Sequence, residues 1–327
     1  MIKRVYLRAD GGPQTGWGHV NRMCALAAIL KDEAQVVAVS GTAGAEVFRK
    51  NIGNLAEVQM LSEHDCGDCR EEWKNTDATH ALLVLDGYQF DYRYQQEAKE
   101  LGFRVVLIDD FAQGPFAADM VINHAPNSRR LYQQEGISYC CGLDYALLRP
   151  SFYGAQEAPE RKQNQVLLTL GGADPLGLTA QLLTKLLPQF PNLQWVVIYT
   201  DSFTTEHSRQ LIDLAEYNTA ITLKKNMNET AMQQLMLESA HALVSASTVV
   251  LEAWSCGLFP AALCYTDNQR IMFEGVISEH LAFPLTTENA VTEFGDYLQS
   301  EKRATVDREG WNPPAAFRSA LQQIMHA

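Results

Sequence analysis

Short runs of consecutive apolar residues alternate along this chain with segments whose apolar positions recur every three or four residues. The runs RVYLRAD (4–10), QVVAVS (35–40), ALLVLDGY (81–88), RVVLIDD (104–110) and DMVIN (119–123) predict strands. Their near-continuous apolar character predicts a parallel sheet covered on both faces. Helical spacing holds over 19–31, 44–50 and 92–101; in HVNRMCALAAILKD, Met23, Leu26, Ala27 and Leu30 form one stripe. The rhythm resumes with strands over 166–172, 195–200, 221–225, 241–247 and 260–265, and helices over 176–187, 206–216, 228–239 and 248–256. This alternation predicts two doubly wound α/β domains, 1–152 and 166–285. A polar, proline-bearing linker (153–165) joins them, and an extension (286–327) ends in a helix. Two such halves imply a cleft between them.

Ligands of an open parallel sheet bind beyond the carboxyl ends of its strands, so the residues after each strand carry the candidate chemistry. After the first strand, a loop with Gly11, Gly12, Pro13, Gly16 and Gly18 delivers His19 to a helix start. There the imidazole either caps the helix or faces the cleft as a base, and the helix dipole favours its neutral form. Asp86, Asp109 and Asp110 follow strands; each either caps a turn or meets a ligand. In the second half Leu170-Gly171-Gly172-Ala173-Asp174 leads into a helix, with Asp174 expected at the N-cap and Pro175 at the first helical position. Ser245-Ala246-Ser247-Thr248 does likewise, with Glu252 one turn into the helix. Hydroxyls and free N–H groups at a helix start suit a diphosphate, and a carboxylate one turn on suits a ribose diol.

Charge narrows the classes. With 26 Lys and Arg against 39 Asp and Glu, a net −13, and no extended basic run, a nucleic acid or an anionic membrane surface is not an expected partner. The N-terminal apolar stretch is too short for a signal peptide, and nowhere do about 18 apolar residues run uninterrupted. These features point to the cytoplasm. Seven cysteines without framework spacing suggest reduced thiols. Cys66-Gly-Asp-Cys69, with His64 nearby, is either a zinc or redox pair or a surface loop with two thiols. Trp73, Trp195 and Phe203 are expected in packing roles.

GWGHVNR (16–22), DGY (86–88), INHAP with GLDYALLRPSFY (122–153), GGAD (171–174), SASTVVLEA (245–253) and DNQ (267–269) occur together in this order. In this combination the chain resembles the UDP-sugar hydrolases of pseudaminic acid biosynthesis, which act on UDP-2,4-diacetamido-2,4,6-trideoxy-β-L-altropyranose; the likeness covers roughly residues 3–285. That resemblance implies the glycosyltransferase B architecture of two Rossmann-like domains, shared with the glucosaminyltransferase of peptidoglycan synthesis. It implies that His19 activates the attacking water and that Gly18, Tyr88, Asn268 and Gln269 line the sugar site. It further implies that Gly16, Gly171, Gly172, Ser247, Thr248 and Val249 surround the UDP, with Glu252 on its ribose. Tyr145, Leu148 and Arg149 belong to the signature as scaffold. Neither metal nor cofactor belongs to the pattern, the small-molecule UDP-sugar is the implied partner, and oligomeric state is left open, a monomer included. Transfer of the sugar to an acceptor, hydrolysis of another UDP-acetamido sugar, and a non-catalytic sensor remain alternative readings at this point.

Overall fold

Strand β1 (Arg4–Ala9) is buried from its second residue on and sits within a seven-stranded sheet, two strands in from one edge. In the computed structural model, which describes residues 4–12, 16–62, 66–154, 160–300 and 310–326, the chain divides into two units. The first comprises 1–150 with 312–327, and the second 151–311.

In the first unit the chain runs from β1 through α1 (Gly18–Leu30) to β2 (Gln35–Ser40), α2 (Thr42–Ile52) and β3 (Glu57–Met60), then α3 (Cys69–Trp73). It returns to the other side of β1 with β4 (Ala81–Asp86), α4 (Tyr92–Glu100), β5 (Arg104–Ile108), β6 (Met120–Asn123) and β7 (Ser138–Cys141). The sheet order is β3-β2-β1-β4-β5-β6-β7, with every pairing parallel. The direction of winding therefore reverses between β1 and β4, the crevice where open α/β sheets take their ligands. One core face gathers Tyr6, Val39, Leu83, Leu85, Phe103 and Trp73, with Tyr6, Trp73 and Phe103 meeting edge to face.

A charged pair is sealed within this unit. Arg8 donates from Nε to Glu72 Oε2 (2.9 Å) and from Nη2 to Oε1 (3.0 Å), both side chains fully buried. Glu72 also accepts from Gly67 N (2.7 Å) and the Tyr94 hydroxyl (2.5 Å). Both oxygens of this buried carboxylate are doubly engaged, the condition under which such burial is tolerated. Glu72 thus anchors the Cys66–Gly67 turn to β1. Cys69 itself is buried in the core, where desolvation pushes its thiol up to about 12. All seven cysteines are free thiols, and because Cys69 opens α3 and is buried, the stretch is not the surface loop with two thiols expected from the sequence. His64 lies outside the described residues, and among the described residues no three His, Cys, Asp or Glu side chains gather as a metal site.

The second unit repeats the plan. It contains β8 (Lys162–Thr169), α5 (Leu178–Leu186), β9 (Gln194–Tyr199), α6 (Thr205–Glu216), β10 (Ile221–Lys225), α7 (Glu229–Glu238) and β11 (Ser239–Ser245). There follow α8 (Thr248–Ser255), β12 (Ala261–Leu263), α9 (Arg270–Ser278), β13 (Phe283–Leu285) and α10 (Ala290–Gln299). The order β10-β9-β8-β11-β12-β13 is again all parallel and reverses between β8 and β11. Trp195 and Phe203 lie buried in its core, as Trp73 does in the first.

Several boundaries differ from the sequence expectations. Strand β8 begins at Lys162, inside the stretch expected as linker, and residues 155–159 of that stretch lie outside the described set. The segment 286–327 is divided: α10 belongs to the second unit, whereas α11 (Pro313–His326) packs on the first, with Phe317 edge-on to Tyr145. Strands β3, β7 and β13, and helices α3, α9 and α10, have no counterpart among the expected elements. No helix of the described residues is long and apolar enough to cross a membrane.

Candidate active site

The glycine loop after β1 closes on itself: Gly12 and Gly16 exchange both backbone hydrogen bonds, at 3.1 and 2.8 Å. Gly16 takes φ +76°, a conformation a β-carbon would strain. Pro13, expected in this loop, is outside the described residues. Helix α1 starts at Gly18, after Trp17, and no side chain caps it. His19 is therefore not a cap. It turns inward, and its Nδ1 stands 2.6 Å from Oδ1 of Asp86, at the end of β4.

Asp86 reaches His19 because β4 pairs with β1 in a register that sets Asp86 beside Ala9, under the helix that β1 feeds. One turn along α1, on the same face, Arg22 joins them. Its Nε donates to Asp86 Oδ2 (2.9 Å) and its Nη2 to Asp86 Oδ1 (2.7 Å). The same guanidinium donates from Nη1 to Asp110 Oδ1 (2.6 Å) and from Nη2 to Asp110 Oδ2 (2.9 Å). The Tyr88 hydroxyl donates to Asp110 Oδ2 (3.2 Å), and its ring meets His19 edge to face at 4.7 Å. Burial alone would raise the Asp110 carboxyl, but the Arg22 guanidinium holds it well below the usual carboxylate range. Burial would likewise lower Arg22, and the two carboxylates raise it instead, so Arg22 and Asp110 stay ionised.

The hydrogen positions follow from this geometry. A carboxylate oxygen 2.6 Å from a ring nitrogen requires a hydrogen between them, so Nδ1–H donates to Asp86. Arg22 Nη2, 3.0 Å from Nδ1, has no acceptor there and spends its hydrogens on the carboxylates. In the neutral form of the ring Nε2 bears the lone pair, and among the described residues it has no hydrogen-bond partner. An imidazole held by a carboxylate at one nitrogen and open at the other has the geometry a general base requires.

The neighbouring strand ends resolve the remaining aspartates. Asp109 caps its own turn, accepting from Phe111 N (3.1 Å) and Ala112 N (2.8 Å), with the Tyr132 hydroxyl at 2.6 Å. Gly18 is exposed at the first helical position. Of the expected first-unit residues, His19, Tyr88, Gly16 and Gly18 gather around the start of α1. Arg22 and Asp110 were not singled out as a pair from sequence, although Arg22 closes the GWGHVNR motif, three positions after His19.

In the second unit two turns meet at the β8/β11 crevice. Gly171 has φ +103°, and a β-carbon there would lie 3.7 Å from Ser245 Oγ, so the two loops touch. The Gly172 carbonyl accepts from Thr200 Oγ1 (2.6 Å). Asp174 does not occupy the N-cap, nor Pro175 the first helical position. A turn through 175–177 intervenes, the N-cap is Gly177, and the Asp174 carboxylate reaches across it to accept from Leu178 N (2.9 Å) and Thr179 N (2.8 Å). With its own helix end already satisfied by Asp174, α5 offers less to an anion than α8. At α8, Ser247 is the N-cap, Thr248 the first helical residue and Val249 the second; no side chain caps this end. Ser247 Oγ pairs instead with Ser245 Oγ at 2.9 Å. Glu252 lies one turn on and is buried. Asn268 and Gln269 form a short turn before α9, where Gln269 Oε1 accepts from Tyr265 N (3.1 Å).

Two parallel α/β units, each with candidate chemistry at its reversal point, have the Rossmann-like plan of the two domains of the glycosyltransferase B fold. Solved structures bear this out at the level of fold. Acinetobacter baumannii MurG matches with a TM-score of 0.56 and 14% identity over 91% of both chains. The spinosyn rhamnosyltransferase SpnG complexed with thymidine diphosphate matches with a TM-score of 0.65 and 12% identity, over 98% of this chain and 100% of that one. In sequence, the chain is 25% identical over 272 residues to the UDP-2,4-diacetamido-2,4,6-trideoxy-β-L-altropyranose hydrolase of Campylobacter jejuni, covering 81% of this chain and 93% of that protein. No family model matches the chain.

Proposed function

We propose that this protein is an inverting UDP-sugar hydrolase that releases UDP from UDP-2,4-diacetamido-2,4,6-trideoxy-β-L-altropyranose without a metal ion. The observation that carries the reading is the His19–Asp86 pair at 2.6 Å, which leaves Nε2 of a neutral imidazole as base. The likeness in sequence to the Campylobacter jejuni hydrolase supports the substrate.

In this mechanism His19 Nε2 takes a proton from water as the water oxygen attacks the anomeric carbon from the face opposite UDP. The carbon–oxygen bond to the β-phosphate breaks, its electron pair leaves with UDP, and the free sugar emerges with inverted configuration. Asp86 keeps Nδ1–H directed and stabilises the imidazolium that forms. UDP is a good leaving group, so no strong general acid is required. The open N–H groups at the start of α8 and the Ser247 hydroxyl stabilise the charge developing on the β-phosphate, while the glycines at 171 and 172 let backbone approach it. Glu252 accepts from the ribose hydroxyls, and Tyr88, Gly18, Asn268 and Gln269 contact the sugar.

Phosphorus and proton NMR of the protein with this UDP-sugar, with and without a chelator, tests the reading. UDP and the inverted anomer appearing first, at a rate indifferent to chelation, is the expected outcome; intact substrate after hours overturns it. The fold shared with glycosyltransferases favours a second reading, transfer to an acceptor. Sugar passing to added acceptor in preference to water would select it.

A further inference from the structure

His124 follows β6 and lies outside every role assigned above. Pairing of β4, β5 and β6 aligns Asp86 with Ile108 and Ile108 with Ile122. Asp110 and His124 are each two residues past those isoleucines, so both come just beyond the level of Asp86, after the ends of β5 and β6. His124 is 4% exposed, and its Nδ1 accepts from Leu147 N at 3.3 Å. That bond fixes the tautomer: the proton of a neutral ring must sit on Nε2. Among the described residues Nε2–H has no hydrogen-bond partner. Nor is it among the side-chain atoms that are both unpartnered and sealed from solvent, so Nε2 keeps a trace of accessible surface.

Charge decides what an N–H there can meet. Burial, then the Arg22 cation, hold the imidazole down to about 4 against the opposing pull of Asp110 and Asp86. The ring is neutral at physiological pH and donates without carrying charge. Beside it two carboxylates face one guanidinium, a net negative cluster that repels phosphate. An uncharged oxygen meets no such penalty.

We infer that His124 is a second substrate-contacting histidine, whose Nε2–H donates to an uncharged oxygen of the glycosyl group, an acetamido carbonyl or a hydroxyl. Its role is recognition, distinct from the proton transfer of His19, and it rests on the hydrolase reading above.

The test is steady-state kinetics of His124→Phe and His124→Gln against wild type with UDP-2,4-diacetamido-2,4,6-trideoxy-β-L-altropyranose, together with nitrogen-15 imidazole NMR of the wild type. Glutamine can accept from Leu147 N and still donate; phenylalanine can do neither. The phenylalanine variant is expected to raise KM about tenfold with kcat within about twofold, and the glutamine variant to recover most of the loss. NMR is expected to show a neutral Nε2–H ring between pH 6 and 8. An unchanged KM in the folded phenylalanine variant overturns the inference, as does a fall in kcat alone, which would mean that His124 merely supports Asp110. An Nδ1–H ring or an imidazolium at pH 7 overturns it without reference to turnover. Wild-type protein that hydrolyses no UDP-sugar defeats the hydrolase reading first and the substrate contact with it.

Discussion

Both oxygens of Asp86 are committed, one shared by His19 Nδ1 (2.6 Å) and Arg22 Nη2 (2.7 Å), the other bound by Arg22 Nε (2.9 Å). Three donors therefore hold the carboxylate, and its replacement should be felt as a change of tautomer. In Asp86→Asn the amide presents donors, the ring can accept at Nδ1 only by moving its proton to Nε2, and the base is lost. A kcat lower by roughly 10³–10⁴ is expected, as when the orienting carboxylate of a catalytic triad is replaced. Single-turnover release of UDP checks it; a loss under tenfold would remove Asp86 from the mechanism.

His19→Ala should abolish the base, a loss of about 10²–10⁴ in kcat. Calorimetric titration with UDP should give an affinity within about twofold of wild type, because every residue assigned to the nucleotide except Gly16 belongs to the second unit.

Glu252→Gln separates the nucleotide from the chemistry. A hydrogen bond to a charged group contributes about 1.5–3 kcal/mol, so UDP binding should weaken roughly 10–100-fold. Titration of UDP into the folded variant measures this directly, and unchanged affinity would detach Glu252 from the ribose.

The sealed Arg8–Glu72 pair governs stability rather than turnover. Glu72→Ala leaves the buried Arg8 guanidinium, which Glu72 and Asp10 together hold above its ordinary value against desolvation, with Asp10 alone (Nη1 to Oδ2 2.7 Å). Breaking such a pair costs about 3–5 kcal/mol, whereas removing both charges in Arg8→Met/Glu72→Leu should restore much of it. Urea unfolding of the three proteins distinguishes these outcomes.

Acid should destabilise the first unit in two stages. His124 titrates near 4 when folded and near 6.5 in a model peptide, so between those values the unfolded chain binds more protons. The contribution of His124 to stability is complete above about pH 6.5 and fades as pH falls towards 4. Asp110, depressed in the folded state, adds stability above the ordinary carboxylate range that is lost only on further acidification through its folded value. Unfolding free energies from about pH 7.5 to 4.5 should therefore fall in the wild type and fall less in His124→Phe.

Much of the architecture is written locally. Buried runs such as Leu82–Leu85 and Val166–Leu168 are apolar without interruption because both sheet faces are covered, and this marks a parallel strand in any context. The helical stripe of α1 and the glycine turn before it are equally local, since a left-handed φ at Gly16 demands glycine wherever the chain goes next. Edge strands escape such reading. In β3 and β7 the residues Glu57–Met60 and Ser138–Cys141 lie half in solvent, and β13 has only three residues, so none shows a continuous apolar run. Asp174 misled for a related reason: a carboxylate capping across an inserted turn has the same composition as one at the N-cap.

The site divides in the same way. From sequence alone came the histidine at a helix start, the serine turn and the carboxylate one turn beyond it, because each depends on neighbours within a few residues. Only the tertiary structure decided that Asp86 holds His19 and that Arg22 locks Asp86 to Asp110, across separations of 64 to 88 residues. Those pairings follow from β4 docking against β1, with β5 and β6 beyond it. Aspartates 86, 109 and 110 are alike in local sequence, as acids ending apolar runs; strand order brings Asp86 and Asp110 to α1, while Asp109, beside Asp110 after the same strand, turns back on its own loop.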